Sequence, residues 1–353
     1  MSLHPQYIPY KVDALSGRYV TLAHIEPLLT PYNTTEIAKS VLGAPLYRID
    51  WGSGAVKVLM WSQMHGNEST TTKAVFDLLS YLESHPNLKS QISLRVLPMV
   101  NPDGASAYTR NNANDVDLNR DAKQLTQPES LFLRAEFDSY KPDFAFNLHD
   151  QRTMYGIEDH PATVSFLAPS ADEKRQFGPS RREAACLIAQ IAKKLDVHIP
   201  NQIGRYDDAF NANCTGDAFQ SDGVPTVLFE AGHYQNDYQR EQTREFIFYA
   251  LKYAIEAILD DQLHDFDAYF EIPENQNHFF DILIKNTEYI VDNQIKQGDI
   301  GINFREVRSG DKITFEPVFI VEGDLSAHRG HKVIVGNNDL VKYKFNESAH
   351  NCL

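Results

Sequence analysis

Cysteine is scarce in this 353-residue chain. The three thiols, Cys186, Cys214 and Cys352, are widely spaced and odd in number, and no C-x-x-C pair occurs. That excludes a disulfide framework and a thiolate metal cluster, and it points to free thiols in a reducing compartment. Nowhere do about 18 apolar residues run together, so no membrane span is expected. The opening stretch, MSLHPQYIPYKVDALSGRYV, lacks an apolar core behind a basic start and does not read as a secretory leader. The expected location is the cytoplasm. Positive charge is short as well: 33 Lys and Arg stand against 48 Asp and Glu, a net charge of −15. With no basic field to release counterions, a nucleic-acid partner is excluded, and so is an anionic membrane surface. The acidity serves solubility. Also missing are G-x-G-x-x-G, a phosphate-binding P-loop and G-x-S-x-G, which removes the dinucleotide, nucleotide-triphosphate and serine-hydrolase readings.

What is present is a globular composition, 42% hydrophobic and 23% charged, over a length that suits one large domain plus a small one. LYRIDWG and VKVLMWSQM (residues 46–64) read as two strands parted by Gly-Ser-Gly. TTTKAVFDLLSYLESH places Val75, Leu78, Leu79 and Leu82 at helical spacing, with Ser69 and Thr70 as candidate caps. SLRVLPMVNPDG is an apolar run broken by a Pro-Asp-Gly turn, and DFAFNLHDQ is a short buried strand reaching His149. SRREAACLIAQIAKKL reads as an amphipathic helix, VPTVLFEAGH as a strand ending at Glu230, and REQTREFIFYALKYAIEAILDD as a long helix. Strands alternating with helices predict an α/β unit on a largely parallel or mixed central sheet, spanning residues 1–265. HDFDAYFEIPENQNHF is polar and reads as a linker or crossover. From there FFDILIKN, GINFREV, KITFEPVFIVEG, HKVIVGN and LVKYKF predict short strands, a small all-β C-terminal domain over 270–353, the alternative being a β-extension packed onto the main sheet.

In open α/β sheets ligands bind beyond the carboxyl ends of the strands. His65, His149 and Glu230 each stand at such an end. His65 and Glu68 are three apart, which brings both side chains to one face of a turn. The pair offers zinc an imidazole nitrogen and a carboxylate. Taken alone, the spacing leaves a metal site, a catalytic pair or a helix cap by Glu68 all open.

Further segments fall in an order. After H-x-x-E come NPDG (101–104), YTRNN with Arg110, VDLNRD (116–121) with Asn119 and Arg120, NLHD with His149, and VLFEAGH with Glu230. Over roughly residues 40–260 the chain resembles the M14-type zinc carboxypeptidases, with a kinship to deacylases of the succinylglutamate desuccinylase and aspartoacylase kind. The resemblance implies an α/β/α sandwich around a mixed eight-stranded sheet. It implies one Zn²⁺ per chain held by His65, Glu68 and His149, the two-His-plus-Glu set of zinc carboxypeptidases. It implies Glu230 as general base, Arg110 as the oxyanion partner, and Asn119 with Arg120 gripping a free substrate carboxylate. The implied substrate is a peptide cleaved at its C-terminal amide bond; an N-acyl amino acid is the alternative. Asp115, Asp117 and Asp121 would orient the arginines or solvate their loop.

The chain departs from the family in places. Asn67 stands where many members carry an Arg, which shifts the carboxylate grip onto Arg120. Tyr206 and Tyr234 are candidates for the family's mobile tyrosine. Asp207, Asp208 and Asp217 lie in the stretch implied to line the side-chain pocket and would favour basic side chains. His160 and His233 could border the site. His328 and His331 read as solvated loop histidines, and Cys214 as a small packed residue.

Overall fold

The computed structural model describes residues 3–260, 263–291, 294–336 and 340–341. The chain runs α1 (Leu22–Leu29), β1 (Asn33–Lys39), β2 (Pro45–Gly52), β3 (Val56–Ser62), α2 (Thr70–Glu83), β4 (Ile92–Leu97), α3 (Pro102–Ala107), α4 (Pro128–Tyr140) and β5 (Phe144–Asp150). It continues through β6 (Tyr155–Ile157), β7 (His160–Pro161), β8 (Val164–Leu167), α5 (Pro179–Leu195), β9 (Ile203–Arg205), α6 (Thr215–Ser221), β10 (Thr226–Ala231), α7 (Glu241–Leu259) and α8 (Ala268–Glu271). It ends with β11 (Gln276–Asn277), β12 (Phe279–Val291), β13 (Gln294–Ser309), β14 (Lys312–Gly323), β15 (Arg329–Val335) and β16 (Leu340–Val341).

Eight strands form one mixed sheet in the order β1-β2-β4-β3-β5-β10-β8-β9. Its centre, β4-β3-β5-β10, is parallel, and antiparallel pairs lie to either side. The alternation of side chains along β3 shows why the sheet carries helices on both faces. Val58 and Met60 join a core with residues of α2, α5 and α7, such as Val75, Ile188 and Ile247. Leu59 and Trp61 point the other way, toward Phe132 and Phe137 of α4 and Phe219 of α6. The result is the α/β/α sandwich, with three parallel strand ends, those of β3, β5 and β10, side by side.

Beyond it, β14-β13-β12-β15 make a second sheet, with β16 also pairing with β12. Its apolar contacts fall into small clusters, Ile284, Tyr289, Ile300 and Ile302 in one, Phe280, Leu283 and Leu325 in the other. Polar contacts tie it to the sandwich: Asp281 accepts from Tyr238 (2.9 Å) and Thr153 (3.2 Å), and Arg329 pairs with Asp159 (2.5 Å).

Some expectations are corrected. The strands of the second sheet are not short: β13 runs 16 residues and β12 runs 13, because long antiparallel ladders stabilise each other where the core is thin. Pro-Asp-Gly is not a bare turn; Asn101 caps a short helix there, its Oδ1 accepting from Gly104 N (2.8 Å) with Pro102 in the first position. The segment read as a linker holds α8, and Tyr269 in it is fully buried, its hydroxyl oxygen accepting from Ala168 N (3.2 Å). β1, polar along its length, was missed because an edge strand needs no apolar face. Of LVKYKF only Leu340–Val341 lies in a described strand; residues 342–345 and Cys352 lie outside the described residues.

Candidate functional site

β3 stops at Ser62, and the chain turns through residues 63–69 before α2 begins at Thr70. Gln63 adopts a left-handed backbone (φ 51°), and its Nε2 donates to Val20 O (2.8 Å) and Gly66 O (2.9 Å), which pins the turn. At Gly66 a Cβ would lie 2.0 Å from the carbonyl carbon of Gly104, so only glycine fits against α3. Asn101 Nδ2 donates to Met64 O (3.2 Å) and Arg110 O (3.3 Å). The NPDG segment therefore binds the His65 turn to the Arg110 loop. Glu68 N donates to His65 O (3.0 Å), closing the turn that presents both side chains together.

His149, near the end of β5, meets them. His65 Nδ1 lies 2.8 Å from Glu68 Oε1, His149 Nδ1 lies 2.8 Å from Glu68 Oε2, and the two ring nitrogens are 3.1 Å apart. All three side chains are buried, with donor atoms within 4.8 Å of one another. The other ring nitrogen of His65, Nε2, is 3.1 Å from Asp117 Oδ1. With the proton on Nε2, His65 turns a bare lone pair toward Glu68 and His149, a convergence of acceptors that calls for a cation. Two imidazoles and a carboxylate fit Zn²⁺, and Asp117 is the outer partner such a histidine ligand normally has.

The three side chains perturb one another's proton affinities. Burial lowers His65, but Glu68 and Asp117 outweigh it and hold the imidazole above its usual value. Burial pushes the Glu68 carboxyl up, and the two histidines more than reverse this, leaving it well below the usual carboxylate range. Burial lowers His149, and Glu68 only partly restores it.

Arg110 stands at the mouth, with Nη1 on Glu68 Oε1 (3.2 Å) and Nε on Asp117 Oδ2 (3.1 Å). Asp117 thus orients both His65 and Arg110. Asn119 is buried, and its Oδ1 accepts from Thr215 N (3.0 Å). Arg120 is exposed, with Nη1 held by Asn119 O (2.7 Å). Asp121 accepts from the backbone of Thr126 (3.0 Å) and Gln127 (3.0 Å) and contacts neither arginine, while Asp115 holds Asn111 (2.8 Å). Asn67, in the place of the family's Arg, has an enclosed Oδ1 with no partner.

Glu230 on β10 is in register with His149 on β5. Its Oε2 is enclosed and has no hydrogen-bond partner among the described residues. Burial raises this carboxyl well above the usual range; the charges of Glu68 and Asp150 add to the rise, and Arg110 and Arg240 oppose it. Tyr206 donates to Gln151 Oε1 (2.7 Å), and burial together with Glu230 holds its phenol well above the ordinary tyrosine value. Tyr234 instead packs on Phe246 of α7 (ring centroids 5.2 Å apart). Asp208 is taken up by Arg175 (3.1 Å) and Arg181 (2.7 Å), Asp207 caps Ala209 N (2.8 Å), and buried Asp217 accepts from Asn211 N (3.3 Å). Cys214 packs on Asn119 Oδ1 (3.4 Å), its thiol raised by burial to about 11, which suits a packed residue and not a nucleophile.

The histidines are corrected. His160 is exposed. His233 is buried against Tyr238 and His331 (centroids 4.8 and 4.1 Å). His331 and His328 are not solvated: His331 Nε2 contacts Thr153 O (2.8 Å), and His328 stacks on Phe280 (5.2 Å). Sequence reading missed Arg18, Tyr108 and Glu306, which meet beside Asp150. No spacing signal links positions so far apart.

An α/β/α sandwich with a buried His-Glu-His group at its parallel strand ends frames a candidate metal centre. Residues 23–155 match the zinc carboxypeptidase model of the M14 peptidases. Carboxypeptidase 2 of Trichophyton tonsurans is 27% identical over 124 residues, 34% of this chain and 22% of that protein. Carboxypeptidase D of Mus musculus is 26% identical over 135 residues, 31% of this chain and 10% of that protein. The match thus spans about a fifth or less of these relatives' length. Among solved structures, a metallo-carboxypeptidase from Burkholderia cenocepacia superposes with a TM-score of 0.53 at 17% identity, covering 69% of each chain. The carboxypeptidase A from Helicoverpa armigera does so with a TM-score of 0.53 at 16% identity, covering 68% of this chain and 71% of that one. These structures share the fold.

Proposed function

We propose that the chain is a zinc-dependent metallocarboxypeptidase that hydrolyses the C-terminal amide bond of a peptide. The observation that carries this reading is the convergence of His65 Nδ1, His149 Nδ1 and both Glu68 oxygens beside the unpartnered Oε2 of Glu230. His65, Glu68 and His149 would hold the ion. Zinc, when bound, supplies Lewis acidity to a carbonyl and lowers the pKa of water.

The protein's own groups do the rest. Glu230 Oε2 takes the proton of the attacking water and delivers it to the leaving amine. Its enclosed position supports a carboxylate with high proton affinity. Arg110, always charged, faces the oxygen where negative charge develops. Arg120, with its guanidinium toward solvent, and Asn119 receive the substrate's α-carboxylate. Asp117 keeps His65 in the tautomer that leaves Nδ1 free. Tyr206, tied to Gln151 near Glu230, is the better candidate for a tyrosine that meets substrate.

A second reading, an N-acyl-amino-acid deacylase, draws support from the second sheet, which packs against the segment just after His149 through Asp281–Thr153 and Arg329–Asp159. We also keep residues 1–265 as the catalytic unit and 270–353 as a β-rich unit, supported by the latter's own apolar clusters. Among the described residues no helix is long and apolar enough to cross a membrane. Cys186 and Cys214 are unpaired, which supports a reducing, cytoplasmic setting. The test is to incubate zinc-loaded protein with a library of peptides and N-acyl amino acids and read products by mass spectrometry. Release of single C-terminal residues is expected; release of acyl groups alone would favour the deacylase, and no product from either set would overturn both.

A further inference from the structure

Behind the metal centre lies a charged network that the proposed reaction leaves unused. Arg18, from the N-terminal segment, is only 5% exposed. Its Nη1 donates to Thr70 Oγ1 (3.3 Å) and Asp150 Oδ2 (3.4 Å), and its Nη2 to both oxygens of Glu306 (3.0 and 3.3 Å). Glu306 comes from β13 of the second sheet, and its carboxylate also accepts a short hydrogen bond from the Tyr108 hydroxyl.

Asp150 carries the network inward. Its side chain accepts from Thr70 N (3.0 Å) and Thr71 N (3.3 Å), the first turn of α2, directly after Glu68. Its own N–H donates to Glu68 Oε2 (3.2 Å). An unbroken hydrogen-bonded path therefore runs from Glu306 through Arg18 and Asp150 to Glu68. A buried guanidinium is stable only when its charge is compensated. Here two carboxylates share it, one from each sheet. If Glu306 loses its charge, Arg18 is left with Asp150 alone and is drawn toward it, which disturbs the acceptor that fixes both the start of α2 and Glu68. Ligating carboxylates depend on such outer partners for their orientation.

We propose that Glu306 is a positioning residue for the metal centre: acting through Arg18 and Asp150, the second sheet sets the orientation of Glu68, so the site is complete only with that sheet docked. The proposal rests on the zinc reading above and adds to it a distant strand.

The test uses the full chain. Metal-free protein is titrated with Zn²⁺ against a chromophoric chelator, and the Co²⁺-substituted form is read by its visible absorption. Glu306→Gln should weaken zinc binding about ten- to a hundredfold and alter the cobalt spectrum, with an unchanged circular dichroism spectrum. Arg18→Gln should do the same, and the double variant should bind no more weakly than Arg18→Gln alone. Arg308→Gln is the control. It removes another contact of β13 with the sandwich, Nη1 to Ser106 O (2.7 Å), which makes no hydrogen bond to Arg18, Asp150 or Glu68. Its zinc affinity should stay at the wild-type value. If Glu306→Gln or Arg18→Gln does not fold, Tyr108→Phe carries the test, with a severalfold loss of affinity expected. Variants that bind zinc within twofold of a tightly binding wild type, with the same cobalt spectrum, overturn this proposal alone. Equal weakening by Arg308→Gln also overturns it, in favour of general loosening of the sheet. A wild type that binds no zinc overturns the reading of the centre itself and this proposal with it.

Discussion

Glu230→Gln should raise the stability of the metal-free protein while removing its activity. The Glu230 carboxylate faces His149 across the β5–β10 pair, and its Oε2 is enclosed with no partner. Burial drives its proton affinity up, and the nearby Glu68 and Asp150 drive it further. As pH rises, ionising this carboxyl costs more in the folded chain than in the unfolded one. The amide keeps the shape and carries no charge. A buried polar group left unsatisfied costs about 1–3 kcal/mol, more when charged. The variant should therefore gain about 1–3 kcal/mol, a few degrees in Tm for a chain of this size. The sign follows from linkage. A carboxyl raised in the folded state contributes stability below its unfolded value near pH 4, and loses it as pH rises through the folded value. The gain of Glu230→Gln over wild type should thus be small near pH 4 and grow toward pH 8. Activity should move the other way, with kcat falling on the order of 10²–10⁴, since the amide accepts no proton from water. Thermal melts of metal-free protein across pH, with zinc-loaded kinetics at about pH 7.5, measure both. A variant with near-normal kcat would remove Glu230 from the role of base. A variant no more stable than wild type at pH 8 would refute the account of its burial.

His65→Ala, Glu68→Ala and His149→Ala should each lose tight zinc binding, because a site of this class needs three protein ligands; a His149→Ala protein that retains one tightly bound zinc by metal analysis contradicts the ligand set. Arg120→Ala should reduce kcat/KM for substrates with a free α-carboxylate by roughly ten- to 150-fold, the worth of a charge-assisted bond of about 1.5–3 kcal/mol, and barely change it for the C-terminal amides. Wild type that cleaves amide and acid equally well would exclude an exopeptidase. Burial raises the Asp217 carboxyl to about 6. Its stabilising contribution is therefore complete below about pH 4 and lost as pH rises through 6, so wild type should lose up to about 3 kcal/mol relative to Asp217→Asn between those values, by denaturant midpoints.

Periodicity and punctuation made most of the fold legible. β3, α2, β5, α5, β10 and α7 lie within a few residues of where apolar spacing puts them, because each buries a continuous apolar face and such faces leave a pattern in the sequence. β1 left no pattern, being polar and at the edge. The NPDG segment read as a turn because its short helix rests on one side-chain cap, Asn101, and not on any apolar stripe.

The order of motifs also determined which residues to place at the candidate centre: His65 with Glu68 on one local turn, His149 and Glu230 at strand ends. Local spacing accounts for the first pair, and the general rule for strand ends accounts for the others. Only the tertiary structure decided what surrounds them. Asp117 orients both His65 and Arg110, while Asp121, four residues along the same loop, binds backbone instead. His331, which reads as a loop residue, stacks on a buried His233. Arg18 and Glu306, 288 positions apart, share one buried ion pair behind Glu68. Such contacts depend on how two sheets dock, and a charge that finds its partner across that distance leaves no periodic trace in the chain, since its energy comes from desolvated proximity and not from any local repeat.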